Sequence, residues 1–493
     1  MRWEPPVPAP AIRDAIMPPK TTPTQETLEP LGAPRLAALL AEFAAADPAI
    51  KRRLRLELAG ASSPTKLIAE ITRRLATLAR SRGFVEGPAR RTLIQDLDTQ
   101  RRAIVEQVAP RQPAEALDLM WRFAMLATPI LERVDDSGGA IAPIFSLAVD
   151  DLAALATAAR PDPRHLADQT FHALTLDGFG LLDGLVVALA RVLGPAGLEH
   201  LKQRVLALSK QPVPRPPEKD RKVVGYASRG PVYEDEIKES GRVGTVRSAL
   251  RAIADAQGDV DAYIAQFDAP ARQVPRIAAD IARRLVAANR AEEALQVLGA
   301  SEPRGAWRDP AWDAARIEAL EALGRAEEAQ AARWATFERS LSPEPLRAYL
   351  KRLPDFEDFD AEQRALVHAE QFPSLAQAIH FLLGWPALDR AARAITSRAA
   401  ELDGNLYELL TPAAAALGGK YPLAATLALR AMIDFTLKQA RLSRYGHAAR
   451  HLRDCAALAG AITDRGAFET HEAYVARLRQ EHGRKSGFWS RVT

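Results

Sequence analysis

Cysteine is nearly absent from this chain, since Cys455 is the only one among 493 residues. A single cysteine excludes an intramolecular disulfide and is typical of a reducing compartment. Aromatic residues make up only 6% of the chain, and no convincing run of alternating β-branched residues predicts a sheet. The N-terminus lacks the apolar segment of a signal peptide, and the most apolar stretch, 178–193, is too short to span a bilayer. We therefore expect a cytoplasmic protein without membrane contact.

Motifs that would indicate catalysis are also missing. The sequence contains no glycine-rich loop that could hold a phosphate, no Gly-x-Ser-x-Gly nucleophile elbow and no His-Glu-x-x-His zinc motif. It therefore predicts no catalytic residue, no cofactor and no enzymatic activity.

Alanine, leucine and arginine dominate the composition, which favours helices over strands. With 47% hydrophobic residues, the chain has enough apolar material for the cores of two or three domains. Segments with a helical pattern are separated by breaks rich in proline, glycine or serine at 62–64, 83–88, 110–113, 135–139 and 161–163. The predicted fold class is all-α.

One short phrase occurs twice, 35 residues apart, as Asn-Arg-Ala-Glu-Glu-Ala at 289–294 and Gly-Arg-Ala-Glu-Glu-Ala at 324–329. Each copy follows one amphipathic helical run and opens another, which predicts the corner of a helical hairpin. Gly324 suits the positive φ that ends a helix, and asparagine is the next-best residue for that place. Ala294 and Ala329 would let the two helices approach closely. The phrase resembles a tetratricopeptide-type repeat, which implies an α-solenoid built from stacked hairpins.

Changes in local composition along the chain predict five regions. Eight prolines near the N-terminus are too many for a helix, and Met17 offers an alternative translation start that would leave out residues 1–16. Prolines and charged residues return between 211 and 240 and indicate a linker. The predicted regions are a disordered tail (1–30), an N-terminal helical domain (31–210), a charged linker (211–240), a tetratricopeptide-like repeat domain (241–481) and a basic-aromatic C-terminal tail (482–493).

Several stretches resemble a family of uncharacterised bacterial proteins that is known only as a domain of unknown function. These stretches are KRRLRLELA at 51–59, VDDSGG at 134–139, YPLAAT at 421–426 with RAMID at 430–434, and HAARHL at 447–452. The resemblance extends over 28–489 and implies no activity. The helical region is also similar to the part that follows the zinc-binding module of bacterial SWIM zinc-finger proteins. That module requires several cysteines and a histidine, whereas Cys455 stands alone here.

Residues 51–102 carry thirteen lysines and arginines against five acids, in a chain whose net charge is +4. Such a segment, with Arg52, Arg53, Arg73 and Arg74 as its candidate contacts, could attract a polyanion. The alternative is a solvated, arginine-rich helix face. Phe84 is the only aromatic residue in the segment, so stacking of single-stranded bases has no support.

Three smaller patterns have structural interpretations that we prefer to functional ones. His447, His451 and Cys455 share one helical face, but they span about two turns and predict packing rather than a metal site. The acids around Phe356 and Phe359, at 355–360, lack the glycine and terminal glutamate of a calcium loop and predict the start of a helix. The Asp-Asp-Ser-Gly-Gly sequence at 135–139 predicts a turn.

Stacked helical hairpins present extended surfaces that bind proteins or peptides. The sequence therefore predicts a protein-binding scaffold or adaptor, with Trp312, Trp334 and Trp385 as its candidate anchors. The alternative for these tryptophans is a place in the core. The alternative function is association with nucleic acid through residues 51–102.

Overall fold

The structure, a computed structural model, describes residues 23–212, 215–228, 230–302 and 309–492. These residues are helical apart from loops, one two-stranded hairpin and an isolated bridge between Val85 and Val134. The predicted all-α class is confirmed. Chain contacts separate two compact units, unit 1 up to Gln266 and unit 2 from Phe267.

Unit 1 contains twelve helices in the part of the chain that the structure describes. They are α1 (Gln25–Leu28), α2 (Gly32–Ala46), α3 (Pro48–Ser62), α4 (Pro64–Arg80), α5 (Gly87–Ala103), α6 (Pro113–Ala124), α7 (Ala127–Leu131), α8 (Ala142–Ala159), α9 (Pro163–Leu176), α10 (Leu185–Lys210), α11 (Glu234–Gln257) and α12 (Val260–Ile264). Short 3₁₀ turns lie at Glu29–Leu31 and Glu218–Asp220, and a π-helical turn follows α5 at Ile104–Val108. The first helical turns lie inside the predicted 1–30 tail, and residues 1–22 of that tail lie outside the described residues.

Local chemistry decides where several helices of unit 1 begin. Proline occupies the first position of α3, α4 and α9, where its missing N–H costs nothing. The residue before each proline caps the helix, because Asp47, Ser63 and Asp162 each accept a hydrogen bond from a backbone N–H of the first turn. The predicted breaks at 62–64 and 161–163 fall at two of these junctions.

The core of unit 1 lies among α4, α5, α6, α8, α9 and α10. Phe123 of α6 and Phe145 of α8 are fully buried there, with ring centroids 5.4 Å apart. By length and composition, α8 is the one helix among the described residues that could cross a membrane. Its apolar face instead packs against α6 and α10. The stretch that the sequence marks as most apolar, 178–193, is helical only from Leu185 onward.

Two glycines shape the path of α9 and α10. Gly194 has φ 56° and ψ −174° and precedes Pro195, so it divides α10 into two segments. Gly197 packs so closely on the start of α9 that a Cβ there would lie 2.9 Å from the Pro163 carbonyl oxygen. A side chain at Gly197 would therefore separate these two helices.

The segment predicted as a linker, 211–240, is partly structured. Val223–Ala227 (β1) and Gly230–Tyr233 (β2) form an antiparallel hairpin, and α11 begins directly after it. Arg221 pairs with Asp235 at 2.9 Å and with Glu236 at 2.7 Å. Charged residues of the predicted linker thus form ion pairs with one another. The boundary between the units falls after Gln266 rather than in 211–240.

Unit 2 contains fourteen further helices among the described residues. They are α13 (Ala269–Arg272), α14 (Pro275–Ala287), α15 (Ala291–Ala300), α16 (Pro310–Ala322), α17 (Ala326–Ser340), α18 (Pro343–Leu350), α19 (Glu357–Glu370), α20 (Leu375–Gly384), α21 (Leu388–Ser397), α22 (Tyr407–Leu417), α23 (Pro422–Lys438), α24 (Tyr445–Ala459), α25 (His471–His482) and α26 (Ser486–Trp489). The principal contacts of each helix are with the next helix or the next but one, as in a stacked array.

The two predicted corners have the expected geometry. Asn289 and Gly324 adopt φ 59° and 70°, in the left-handed region. After each of them, the N–H of the next residue reaches back five positions to a leucine carbonyl, at 2.8 Å in the first corner and 3.0 Å in the second. Ala294 and Ala329 are fully buried at the helix crossings. Both corners of the repeat are therefore confirmed.

One further corner repeats this arrangement and another shares part of it, although the sequence phrase is absent from both. Before α21, Pro386 has φ 24° and the Ala387 N–H bonds five positions back to the Leu382 carbonyl at 2.9 Å. Before α23, the Tyr421 N–H bonds only four positions back to the Leu417 carbonyl at 2.7 Å, and Lys420 has no positive φ. The fourth residue of each following helix is again a fully buried alanine, Ala391 or Ala425. In the described part of unit 2, these four hairpin corners therefore share a closing backbone bond and a buried alanine, and three of them also share the positive φ.

The predicted C-terminal tail, 482–493, is folded onto unit 2 over its described residues. Phe488 of α26 is fully buried and meets the Tyr445 ring edge-on, with centroids 6.2 Å apart. The Trp489 indole N–H donates to the His482 carbonyl at 3.0 Å. The aromatic residues of this segment anchor it, which corrects its interpretation as a tail.

Candidate functional site

Trp312, a predicted anchor, lies in the core of unit 2 and is 1% exposed. Its indole N–H donates to the Leu298 carbonyl at 3.3 Å and to the Ser301 hydroxyl at 3.2 Å. The tryptophan therefore fastens α16 to the end of α15. A partner cannot reach it, so the prediction of a binding role for Trp312 is corrected.

Trp334 and Trp385, the other predicted anchors, are half-buried and belong to one chain of aromatic rings. Trp334 contacts Phe337 (centroids 5.6 Å apart), Phe337 contacts Phe381 (5.4 Å), and Phe381 stacks on Trp385 (5.5 Å). Tyr349 extends the chain from Trp334 at 5.3 Å. These rings join α17, α18 and α20 with Phe337 fully buried at their centre, so the two tryptophans pack against the core and also reach the surface.

An exposed arginine lies over each of these tryptophans. The Arg364 guanidinium is 5.4 Å from the centroid of Trp334, and that of Arg347 is 5.2 Å from the centroid of Trp385. The Trp385 N–H is fixed by the Glu362 carboxylate at 2.6 Å. Within the described residues, neither Arg347 nor Arg364 makes an ion pair. We call the contacts Arg364–Trp334 and Arg347–Trp385 the Trp–Arg pairs. Tryptophan and arginine are the residue types most enriched at the energetic centres of protein interfaces.

Part of the basic segment is neutralised by acids in the folded protein. Arg73 pairs with Glu70 at 2.6 Å, and the Arg74 Nε donates to Asp96 at 2.7 Å. Arg101 likewise binds Asp151 at 2.6 Å. Carboxylates therefore offset the charges of Arg73 and Arg74, two of the candidate polyanion contacts, although Arg73 itself stays exposed.

Arg52 and Arg53, on α3, line a polar groove of about 440 Å³ in unit 1. The groove also contains the carboxylates of Glu57, Asp98 and Glu106. Neither arginine makes an ion pair in the part of the chain that the structure describes. The field in the groove is mixed in sign, which weakens its attraction for a phosphate backbone.

His447, His451 and Cys455 are not brought together as metal ligands. The two histidines line one cavity, whereas Cys455 is fully buried with its Sγ 3.9 Å from the Thr426 carbonyl oxygen. Burial raises the pKa of the Cys455 thiol to about 12 and lowers the pKa of His451. No group of three potential ligands for a metal ion occurs among the described residues.

The most strongly connected polar cluster lies between α23 and α25 and was not predicted from the sequence. The Tyr474 O–H donates to Asp434 at 2.9 Å, and Arg477 bonds to both Asp434 (3.4 Å) and Glu469 (2.9 Å). Arg430 donates to the Glu469 carbonyl at 3.0 Å and lies over the Tyr474 ring. Burial raises the pKa of Asp434 against the opposing effects of Tyr474 and Arg477. These bonds clamp α25 onto α23, while the buried Arg430 Nε makes no hydrogen bond to any described residue.

A sequence signal for this cluster existed. Arg430 and Asp434 are four positions apart in α23, a predominantly apolar helix. Charged residues that are buried in such a helix are usually paired. Their partners lie about 40 residues further on, and no local pattern connects segments so distant.

The two acidic patterns behave as turn and helix-start chemistry. The Asp136 carboxylate accepts hydrogen bonds from the N–H groups of Ala140 and Ile141 at 2.8 and 3.1 Å, directly before the start of α8. The predicted turn at 135–139 is confirmed. Glu357, Asp358 and Asp360 occupy the first turn of α19, whose N-cap, Phe356, is 88% exposed.

Comparisons with known proteins identify a family without a known activity. No functionally curated protein matches the chain. A solved structure described as "Circular tandem repeat protein with novel repeat topology and enhanced subunit contact surfaces" aligns with 90% of this chain and 93% of its own. The identity is 17% and the TM-score 0.18, a similarity too low to support a conclusion about fold or function. A family model described as "Family of unknown function (DUF6880)" matches residues 19–491. The chain therefore belongs to the DUF6880 family of unknown function.

Proposed function

We propose that this protein is a cytoplasmic, non-enzymatic scaffold that binds another protein through unit 2. The observation that supports this function best is the set of four hairpin corners, each with a buried alanine at the helix crossing. Regularly stacked hairpins create an extended surface, and repeat arrays use such surfaces for binding.

The Trp–Arg pairs are the proposed contact points. Each tryptophan is supported from beneath by the buried aromatic chain, so a partner would meet a ring whose position is already fixed. Each arginine is exposed and lacks an ion pair within the described residues. An acidic segment with apolar side chains would satisfy both the guanidinium groups and the half-buried indoles.

Charge reversal at the two arginines tests this proposal. We would purify the tagged full-length protein from its native cells and quantify co-purifying proteins by mass spectrometry. The test variant is Arg347→Glu with Arg364→Glu. The control variant, Arg276→Glu with Arg453→Glu, changes the net charge equally at two other exposed arginines of unit 2.

A protein that accompanies the wild type and the control in stoichiometric amounts, but is lost from the test variant, would support the proposal. Equal recovery from both variants would remove the Trp–Arg pairs from the interface. The absence of any stoichiometric protein would contradict the scaffold function itself.

Association with nucleic acid is the second candidate function. The observation in its favour is that Lys51, Arg53 and Arg55 of α3 are exposed and make no ion pair among the described residues. Changing Arg52, Arg53, Arg73 and Arg74 together to serine tests this function with a short DNA duplex. We expect weak binding near physiological salt; tight binding there, with a steep salt dependence that the serine variant reduces, would favour this second function.

A further inference from the structure

A cavity of about 620 Å³ lies beside α22, α23 and α24 within unit 2. Its volume is in the range of roughly 300–1,000 Å³ that is usual for small-molecule sites. The proposed scaffold function does not use this cavity, and the Trp–Arg pairs do not line it.

Part of the cavity wall is apolar. Ala414, Leu429, Met432 and Leu458 come from all three helices and contribute only hydrocarbon or thioether surface. Of these residues, Ala414, Leu429 and Met432 are themselves buried. An apolar molecule in the cavity would displace water from the part of this wall that stays accessible.

The polar lining is rich in basic groups. Arg444, His447, Arg450 and His451 line the cavity, with Asp454 as the one acid in the lining. Arg444 is held in place because it donates to the Asn405 amide oxygen at 3.1 Å and lies 4.4 Å from the centroid of the Tyr407 ring. Arg450 is exposed and makes no ion pair within the described part of the chain. Two arginines and one carboxylate are thus in the lining, and these three charges sum to a net positive charge.

His451 lines the cavity with an imidazole whose Nδ1 is itself buried. Its side chain is 13% exposed, and its Nδ1 makes no hydrogen bond to any described residue, since the Asp454 carboxylate lies 3.8 Å away. Hydroxyl groups of Thr411, Thr436 and Ser443 complete the polar lining. Several polar groups beside an apolar wall are the usual arrangement of a site that orients a ligand.

We propose that this cavity binds a small amphipathic anion, with an acidic head group at Arg444 and Arg450 and an apolar body against Leu429 and Met432. The arginines select the charge, because a carboxylate, sulfonate or phosphate can form charge-assisted hydrogen bonds with a guanidinium. The apolar wall selects the body of the ligand.

Two fluorescent probes of similar shape and different charge test the proposal on the full chain. The probes are the anion 8-anilinonaphthalene-1-sulfonate and the uncharged N-phenyl-1-naphthylamine. We expect one molecule of the anion to bind each chain more tightly than the neutral probe. Octanoate should displace it, whereas octylamine should not. Weaker binding of the anion than of the neutral probe would overturn the assignment.

A substitution at the rim tests the charge. Arg450→Gln should lower the affinity for the anionic probe by roughly tenfold, which is the loss expected when one charge-assisted hydrogen bond is removed. It should leave the neutral probe almost unchanged. Arg453→Gln is the matched control, because Arg453 is exposed on the same helix and does not line the cavity. Equal losses in both variants would attribute the binding to general surface charge and overturn the site.

Filling the cavity tests its location. Ala415 lines the cavity and Ala416 does not, yet both are exposed on α22. We expect Ala415→Phe to abolish binding of both probes and Ala416→Phe to retain it, with melting temperatures near the wild-type value. Unchanged binding in Ala415→Phe would overturn the site. Flotation of the protein with phosphatidylglycerol vesicles, combined with no displacement by octanoate, would indicate a lipid surface rather than a free anion and would also overturn it.

Discussion

Two ways of starting a helix can be compared between the units: side-chain caps, which also occur in unit 2 at Asp309 and Ser374, and the hairpin corners of unit 2. In unit 1, side-chain caps such as Asp47, Ser63 and Asp162 act together with proline at the first helical position. At the four corners of unit 2, the residue before the second helix makes no side-chain cap. There a backbone bond closes the turn and a buried alanine permits the crossing. A capped start depends on a few neighbouring residues, whereas a corner of unit 2 depends on the fit between two helices.

The largest expected effect comes from truncating a buried aromatic residue in each unit. Phe123→Ala and Trp312→Ala should each cost about 3–5 kcal/mol of unfolding free energy, because both leave a cavity in a packed core. Hydrogen exchange should locate the loss in unit 1 for Phe123 and near α14–α17 for Trp312.

Equal acceleration of exchange throughout the chain in both variants would contradict a division into separately stabilised units. The comparison between the units would then have no energetic basis.

A smaller effect is expected at the two corners that the sequence phrase did not reveal. Ala391→Leu or Ala425→Leu should cost about 1–3 kcal/mol, because the larger side chain forces apart helices that touch at a fully buried alanine. Ala416→Leu, at an exposed site on α22, provides the control. Denaturant unfolding measures all three variants, and a similar loss from the exposed site would count against the importance of the crossings.

The caps of unit 1 should matter less, but they should matter measurably. Asp162 accepts bonds from the N–H groups of Arg164 and His165 at 3.0 and 2.9 Å. Asp162→Ala should therefore cost about 1 kcal/mol. Arg325, which precedes α17, pairs with Glu328 on the exposed surface, and Arg325→Ala should leave the melting temperature nearly unchanged. A larger loss from Arg325 would show that side chains also determine the corners of unit 2.

The smallest effect is a dependence of unit 2 on pH. Burial lowers the pKa values of His451 and His471 below the ordinary value of about 6.5. Their contribution to stability is thus present above that value and is lost as the pH falls through the lower pKa of the folded state. Burial raises the pKa of Asp434, which acts in the opposite sense at more acidic pH.

The measurement is the unfolding free energy of unit 2 between neutral and mildly acidic pH, with exchange in unit 1 as the internal reference. His451→Gln should make the decline shallower. A decline of the same slope in this variant would exclude His451 as its cause.

Prediction from sequence succeeds where a few neighbouring residues suffice. The corners at Asn289 and Gly324 can be recognised from the sequence, because both residue types tolerate the positive φ that the corner requires. Ala391 and Ala425 have the same role, but alanine is so common in this chain that a buried alanine cannot be distinguished from an exposed one such as Ala416. The predicted site illustrates the same limit. An indole can fill a core or bind a partner, and only burial separates Trp312 from Trp334 and Trp385.

The sequence by itself determined the helical class, most helix boundaries in unit 1 and two corners of the array, because these depend on backbone preferences that act within a few residues. Only the tertiary structure decided that Trp312 is enclosed, that Arg73 and Arg74 are neutralised, and that Asp434 meets Tyr474 across 40 residues. It also decided that a cavity with Arg444 and Arg450 in its lining remains beside α22, α23 and α24. Burial and charge pairing depend on which distant segments meet, and that information is distributed over the whole fold rather than over neighbouring residues.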